Sequence, residues 1–386
     1  MKVSPTLRFH SEGVALSSLP DQSGALSTVS EDPKHSMPQS VSPASPARRV
    51  TIRDVAERAG VALGTVSNVL NEPSVVSEAT RDRVLAAIRE TGFVRNTAAR
   101  QLRGARSKVV GVVVLDSSNP FFMEMIRGAE DVLRPEGYVL ISCSTDESFD
   151  RESTYLRLLE EHRVDGLLIT PATGSISHLE ALIRAQISVV LVDRRAENGE
   201  FCSVTVDDVR GAELATNYLL ECGHQKIAFV NGPETIRQCH DRREGVLRSV
   251  ELARATPRST TVELIELSVP SLTIAAGQSA ARSMIERQCD ATAVLCANDL
   301  VAIGILREYL ALGIQVPKQY SLVGYDDITF SAMLSPSLTS VHQPQYELGA
   351  AAARLLLDEL KDPKGHAHRE INFTPTLMVR ESSGEP

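Results

Sequence analysis

The sequence predicts a small all-α domain followed by an α/β body of two subdomains, with parallel sheets covered by helices on both faces. Three observations predict it. First, the net charge of −9 over 386 residues is unevenly divided. Residues 48–108 carry 12 Lys/Arg against 6 Asp/Glu, a net +6, while residues 109–386 carry 25 against 39, a net −14. Second, apolar residues between 51 and 91 recur at helical spacing. Third, beyond residue 108, short β-branched runs alternate with amphipathic runs, the pattern of parallel strands joined by crossover helices. The overall acidity does not exclude nucleic acid. Phosphate attraction acts within a Debye length of about 8–10 Å, so the basic segment is what DNA would meet.

Residues 1–47 hold 11 Ser and 6 Pro, and their apolar residues show no sustained period. Such a segment buries too little to offset its ordering entropy and is expected to be a disordered extension. Residues 48–94 form the small domain. Thr51 is placed to cap a first helix, with Asp54 three residues on, and Ile52, Val55, Ala56 and Ala59 share one face. Gly60 supplies a tight turn. Thr65, Val66, Val69 and Leu70 begin a second helix. A third is expected over 78–91, with Ser77 as cap, Val84, Leu85 and Ile88 inward and Gly92 as terminator. Two short helices about a glycine turn make a helix-turn-helix. A helical bundle of other purpose would look similar, but the local basic surplus favours DNA. Residues 95–107, crowded with arginines, read as a linker or hinge.

Residues 108–386 form the body. Strands are expected at 109–115, 138–143, 166–170, 189–192, 227–230, 262–267, 293–296 and 321–324. Helices are expected near 121–134, 150–162, 176–185, 209–222, 241–254, 273–287 and 299–312. About 280 residues is long for one sheet, hence two subdomains, with a ligand expected between them at the carboxyl ends of the strands. No apolar run reaches the ~18–20 residues of a membrane span, and no apolar segment follows Lys2 and Arg8 as in a signal peptide, so a cytoplasmic location without membrane contact is expected. The six cysteines, 143, 202, 222, 239, 289 and 296, form no C-x-x-C pair and have no His at ligand spacing. They read as buried small hydrophobes, with no metal site and no cofactor expected. The acid pairs Asp207–Asp208 and Asp326–Asp327 have no catalytic motif around them, so the chain does not read as an enzyme.

Several motifs stand in a specific order. They are TIRDVAERAGV and TVSNVLN within 51–71, TRDRVLAAI at 80–88, RNTAARQLRGARSKVVGVVV at 95–114, SNPFF at 118–122, RVDGLL at 163–168, VDRR at 192–195, VDD at 206–208, GH-x-KIAFV-x-GP at 223–233, CAND at 296–299, SLVGYDD at 321–327 and VHQP at 341–344. Through them the chain, from about Thr51 onward, resembles the LacI/GalR family of bacterial transcription regulators. The resemblance implies a helix-turn-helix domain joined to a periplasmic-binding-protein-like effector domain. It implies a homodimer on a pseudo-palindromic double-stranded DNA operator, acting as a repressor, with affinity set by a small polar metabolite. Sugars are the default effector class, with purines or other small polar metabolites as the alternative. A transporter's solute-binding protein shares the two-subdomain body, but would carry a signal peptide and no helix-turn-helix.

The resemblance places base reading at Leu63, Gly64 and Asn68 of the second helix, phosphate contacts at Thr65 and Ser67, and Thr51 among the DNA contacts. The chain departs from the family pattern in two places. Ala62 stands where Ser is usual, which removes a hydroxyl cap, and Asn68 stands where Arg or His is common, which favours adenine over guanine. In the hinge, Leu102 matches a residue wedged into the minor groove, Ala99 a minor-groove contact, and Arg100 and Arg103 flanking phosphate contacts. A plainer role for Leu102 is packing between domains. In the body, the resemblance assigns effector contacts to Phe121, Phe122, Asp193, Arg242 and Asp299, with Asn298 and Asp327 beside them. The plainer role for each Asp is helix capping, and for Arg242 an exposed face. The chain has no Trp to stack on a sugar; Leu272 holds the nearest matching position, which leaves stacking to Phe121 or Phe122. The polar stretch His240, Asp241, Arg242 and Arg243 suggests an anionic group on the ligand.

Overall fold

The computed structural model describes residues 50–94, 106–173, 176–196, 199–255 and 262–386. The chain divides into two compact units, residues 1–95 and 96–386. The predicted extension and the hinge residues Ala99, Arg100, Leu102 and Arg103 lie outside the described residues.

The first unit is built from α1 (Ile52–Ala59), α2 (Leu63–Asn71) and α3 (Glu78–Thr91). The Asp54 carboxylate accepts from both the backbone N–H and the hydroxyl of Thr51, at 2.6 and 2.7 Å, which fixes the start of α1. Gly60 ends α1 at φ 63, a left-handed turn that a side chain would strain. Val55, Val66 and Val84, each fully buried, form the centre of a small core with Ala56, Ala59, Val69 and Ala87. Two details differ from expectation. Leu85 is exposed and Ala87 takes the inward position, because the face that buries Val84 continues at steps of three and four. The Ser77 hydroxyl donates to Thr80 Oγ1 rather than serving a helix N–H.

The second unit holds two six-stranded sheets. Sheet one contains β1 (Val109–Val114), β2 (Val139–Ser144), β3 (Gly166–Ile169), β4 (Ser188–Val192) and β5 (Cys202–Val206). Sheet two contains β6 (Lys226–Asn231), β7 (Glu263–Ser268), β8 (Ala293–Cys296), β9 (Ser321–Asp326) and β10 (Thr339–His342). Late in the chain β11 (Glu370–Phe373) returns to sheet one, and β12 (Thr376–Met378) to sheet two. The orders are β11-β5-β4-β3-β1-β2 and β12-β10-β9-β8-β6-β7. Every pairing is parallel except β10 with β12. The chain therefore crosses between subdomains after β5, after β10 and after β11.

The helices are α4 (Pro120–Leu133), α5 (Phe149–Glu161), α6 (Glu180–Arg184), α7 (Asp208–Glu221), α8 (Arg237–Arg254), α9 (Ile274–Glu286), α10 (Asp299–Ala311) and α11 (Gln345–Lys361). Strands β5, β10, β11 and β12 and helix α11 go beyond the sequence expectation. Helix α11 buries Leu348 to Ala353 without a break, so it carries no single apolar stripe to read. It lies tightly on α4. A Cβ at Gly349 would fall 1.7 Å from Met125 O, and one at Gly128 would fall 2.0 Å from Tyr346 O, so both glycines permit the crossing. Among the described residues, no helix is long and apolar enough to cross a membrane.

Candidate functional site

Two surfaces carry the predicted residues. On the first unit, Leu63 opens α2 and is 45% exposed, Gly64 has open space around it, and Asn68 is exposed one turn later. Thr65 and Ser67 are half-buried beside them. Asn71 Nδ2 donates to Ser67 O at 2.9 Å and to Ser67 Oγ at 3.2 Å, so the serine hydroxyl receives one bond and has its own hydrogen to give. Ala62 occupies the cap position in an extended conformation and offers no side-chain acceptor to the helix. Thr51 stays exposed at the start of α1.

On the second unit, the carboxyl ends of the strands converge on a cavity of about 30 Å³. Sheet one and its helices supply Leu115, Asn119, Phe121, Phe122, Glu147 and Asp193, and sheet two supplies Ile236, Gln238, Arg242, Leu272, Asn298 and Asp326. Five of the predicted residues are thus brought together: Phe121, Phe122, Asp193, Arg242 and Asn298. Pro120 starts α4 and the Asn119 side chain accepts from Phe121 N–H at 3.0 Å, which points both phenylalanines inward. Their rings meet edge to face at 5.1 Å. The Asn298 side chain caps α10, accepting from Val301 N–H at 2.9 Å, and donates to Leu272 O at 3.2 Å.

Arg242 is buried, not on an exposed face. Its Nε donates to Asp208 Oδ1 at 2.8 Å, its Nη1 donates to Ala297 O at 2.5 Å and lies 3.7 Å from Asp326 Oδ1, and its guanidinium stacks 3.8 Å from the Tyr325 ring centre. Burial alone would lower its pKa, but Asp208, Asp326, Tyr325 and Asp193 outweigh that and hold it charged. Burial in turn raises the carboxyl pKa values of Asp208 and Asp326, the latter to about 6, against the pull of Arg242.

Asp193 has a different environment. It sits at φ 56, just past β4, in a backbone region that few residues other than glycine occupy. Gln238 Nε2 donates to its carbonyl at 2.6 Å and to Oδ2 at 2.8 Å, while the buried Oδ1 has no hydrogen-bond partner. Burial, then the neighbouring Asp208, push its pKa well up. The bond from Gln238 crosses between subdomains, as does Asn119 Nδ2 to Asp326 Oδ2 at 3.3 Å. These two hold the cleft closed.

Asp299 and Asp327 do not line this cavity. Fully buried, Asp299 accepts from Ile328 N–H at 2.9 Å, from Ser331 Oγ at 2.6 Å and from Ser340 Oγ at 2.6 Å, and so holds the loop after β9. Burial raises its pKa to about 7. Burial would also raise that of Asp327, but hydrogen bonds from His342 and Arg380 bring it below the usual value. The polar stretch at the start of α8 does not form an anion site. Arg243 pairs with Glu266, Asp241 with Arg237, and Arg242 is neutralised within the protein. Sequence reasoning missed Gln238, Asp208 and Asp326. Its periodicity starts α8 four residues too late, which hides Gln238, and of the pair Asp326–Asp327 it favours the outward member.

Comparison with known proteins follows the same division. Residues 51–96 match the family model described as bacterial regulatory proteins, lacI family. Residues 107–377 match that described as periplasmic binding proteins and sugar binding domain of LacI family. The HTH-type transcriptional repressor PurR of Photobacterium profundum is 34% identical over 333 residues, 86% of this chain and 98% of its own. The ribose operon repressor of Halalkalibacterium halodurans is 36% identical over 341 residues, 86% and 97% of the two chains. A solved LacI family regulator from Enterococcus faecium with bound ribose aligns at TM-score 0.64 and 31% identity, over 72% of this chain and 98% of that one. The lac repressor dimer bound to operator and the anti-inducer ONPF aligns at TM-score 0.73 and 26% identity, over 87% and 100%.

Proposed function

The chain belongs to the LacI family of bacterial regulatory proteins, and on that premise we propose how its residues divide the work. It is a ligand-responsive, DNA-binding transcriptional repressor. It works in the cytoplasm as a homodimer on a pseudo-palindromic operator, and it catalyses no reaction. Leu63, Gly64 and Asn68 read bases, with Asn68 selecting adenine, and Thr51, Thr65 and Ser67 hold phosphates. Ala99, Arg100, Leu102 and Arg103 make the hinge contacts. Leu102→Ala would then weaken operator binding much more than non-specific binding, and equal loss on both would reject the wedge.

One observation carries the effector reading: the buried, unpartnered Oδ1 of Asp193 at a cavity walled by Phe121 and Phe122. An unpaired buried carboxyl oxygen calls for a hydrogen-bond partner, which a ligand hydroxyl can supply as donor or acceptor. Three further carboxylates, Asp326, Glu147 and Asp116, line the cavity against one arginine in its lining, Arg242, which disfavours an anion. The effector is therefore a neutral, hydroxyl-bearing molecule of the sugar class, its apolar face on the phenylalanines. A cavity of about 30 Å³ is far below the ~300–1,000 Å³ of a ligand site, so a ligand there either parts the subdomains or extends into the adjoining cavity of about 420 Å³ that shares Asp193 and Gln238. Differential affinity for the two cleft states is what links ligand to operator. Gel-shift titration on an operator selected from random DNA, with neutral sugars, phosphorylated sugars and purines, tests this. A neutral sugar should shift operator affinity, and Asp193→Asn should move that response to higher sugar concentration. Tighter binding of the phosphorylated forms would overturn the effector assignment.

A further inference from the structure

At the amino-terminal end of β5, Cys202 meets three potential metal ligands from much later in the chain. They are Glu359 on the last turn of α11, and His366 and His368 in the segment leading into β11. The donor atoms of all four lie within 4.8 Å of one another. The topology explains the meeting. Strand β11 pairs with β5, with Glu370 opposite Ser203, so the residues just before β11 run beside Cys202. His366 Nε2 stands 3.0 Å from Cys202 Sγ, and the two imidazoles meet edge to face at 5.6 Å.

We propose that Cys202, Glu359, His366 and His368 form a tetrahedral site for a divalent transition metal of the zinc class. The donor set is one thiolate, two imidazoles and one carboxylate, which suits a borderline-soft cation and not magnesium or calcium. Charge supports the choice: one thiolate and one carboxylate neutralise a divalent ion, so the site can lie in a half-buried position without net charge. Glu359 Oε2 is buried with no hydrogen-bond partner, an orphan that a cation would satisfy. Arg369 N–H donates to Cys202 Sγ at 3.4 Å, the kind of outer bond that steadies a coordinated thiolate. A thiol must lose its proton to ligate a metal, so binding releases a proton to solvent and tightens as pH rises. Among the described residues, the other cluster of ligand-type residues, His240, Asp241 and Glu244, has its carboxylates already paired with Arg237 and Arg248. The proposed site also holds the end of α11, where Arg106 Nη2 donates to Leu360 O.

The test uses the full chain, stripped by chelator and titrated with Co(II). The expected result is a thiolate-to-cobalt charge-transfer band in the near ultraviolet, with strong tetrahedral visible absorption. It should saturate at one ion per chain and be displaced by Zn(II). Cys202→Ser should remove the charge-transfer band. His368 is exposed, so His368→Ala leaves the fold intact; it should weaken metal affinity on the order of 100-fold. Absence of a thiolate band in the parent protein overturns the site. So does a band that persists at unchanged affinity in His368→Ala, whatever becomes of Cys202→Ser.

Discussion

The DNA-reading unit and the ligand-binding body use side chains in opposite ways. In the first, Leu63, Gly64 and Asn68 face outward, while the core rests on Val55, Val66 and Val84. There the exposed residues of α2 and the core residues are different sets. In the second, Arg242, Asp208 and Asp326 stand at the cleft and also neutralise one another in the interior. A solvent-facing site can vary without cost to the fold, whereas a buried site must satisfy its own charges before it can bind anything. Asp193 differs from these three, because its buried Oδ1 has no hydrogen-bond partner.

The largest test of this contrast is Arg242→Met. It strands Asp208 and Asp326 without their cation and should cost about 3–5 kcal/mol of stability in urea unfolding. A loss of effector binding alone would break the contrast. Next is pH. Asp299 has a folded pKa raised to about 7, so its folded state binds the proton more tightly than the unfolded chain. Its contribution is fully present below the unfolded pKa near 4 and is lost as pH rises through about 7, a change of up to about 4 kcal/mol. Asp326, raised to about 6, adds in the same direction. Asp299→Asn should flatten the fall in stability between about pH 4 and pH 7, and an unchanged slope would remove Asp299 from the account.

Asp193→Asn should weaken effector binding by about 1–3 kcal/mol in calorimetry, with stability unchanged or raised because a buried unpaired acid is gone. A stability loss as large as that of Arg242→Met would merge Asp193 with the structural acids. On the reading unit, Asn68→Arg should move preference at one half-site position from adenine to guanine by about 1–3 kcal/mol, with no change in melting temperature. The smallest effect is Ala62→Ser, which restores a hydroxyl cap to α2. It should stabilise the unit by about 1 kcal/mol and leave base preference alone.

Much of the fold was legible because parallel strands buried on both faces read as β-branched runs, as Val109–Val114 does. The small domain was legible because its turns are marked by Gly60 and Gly92, both left-handed. Short strands such as β11 and β12 were not, since they owe their existence to pairing with β5 and β10 rather than to their own sequence. In the cleft, five predicted residues converge, whereas Asp299 and Asp327 serve the loop after β9 and its surroundings. A carboxylate at a strand end looks the same in sequence whether it meets a ligand or a serine hydroxyl.

By itself, the sequence determined the charge division, the helix-turn-helix, the two-subdomain α/β body and the outward residues of α2, because each follows from local composition and period. Only the tertiary structure decided that Arg242 is neutralised, that Asp193 keeps a free acceptor, that Gln238 closes the cleft and that Cys202 meets Glu359, His366 and His368. Those facts depend on which distant segments burial brings together. Spacing along the chain carries no record of them.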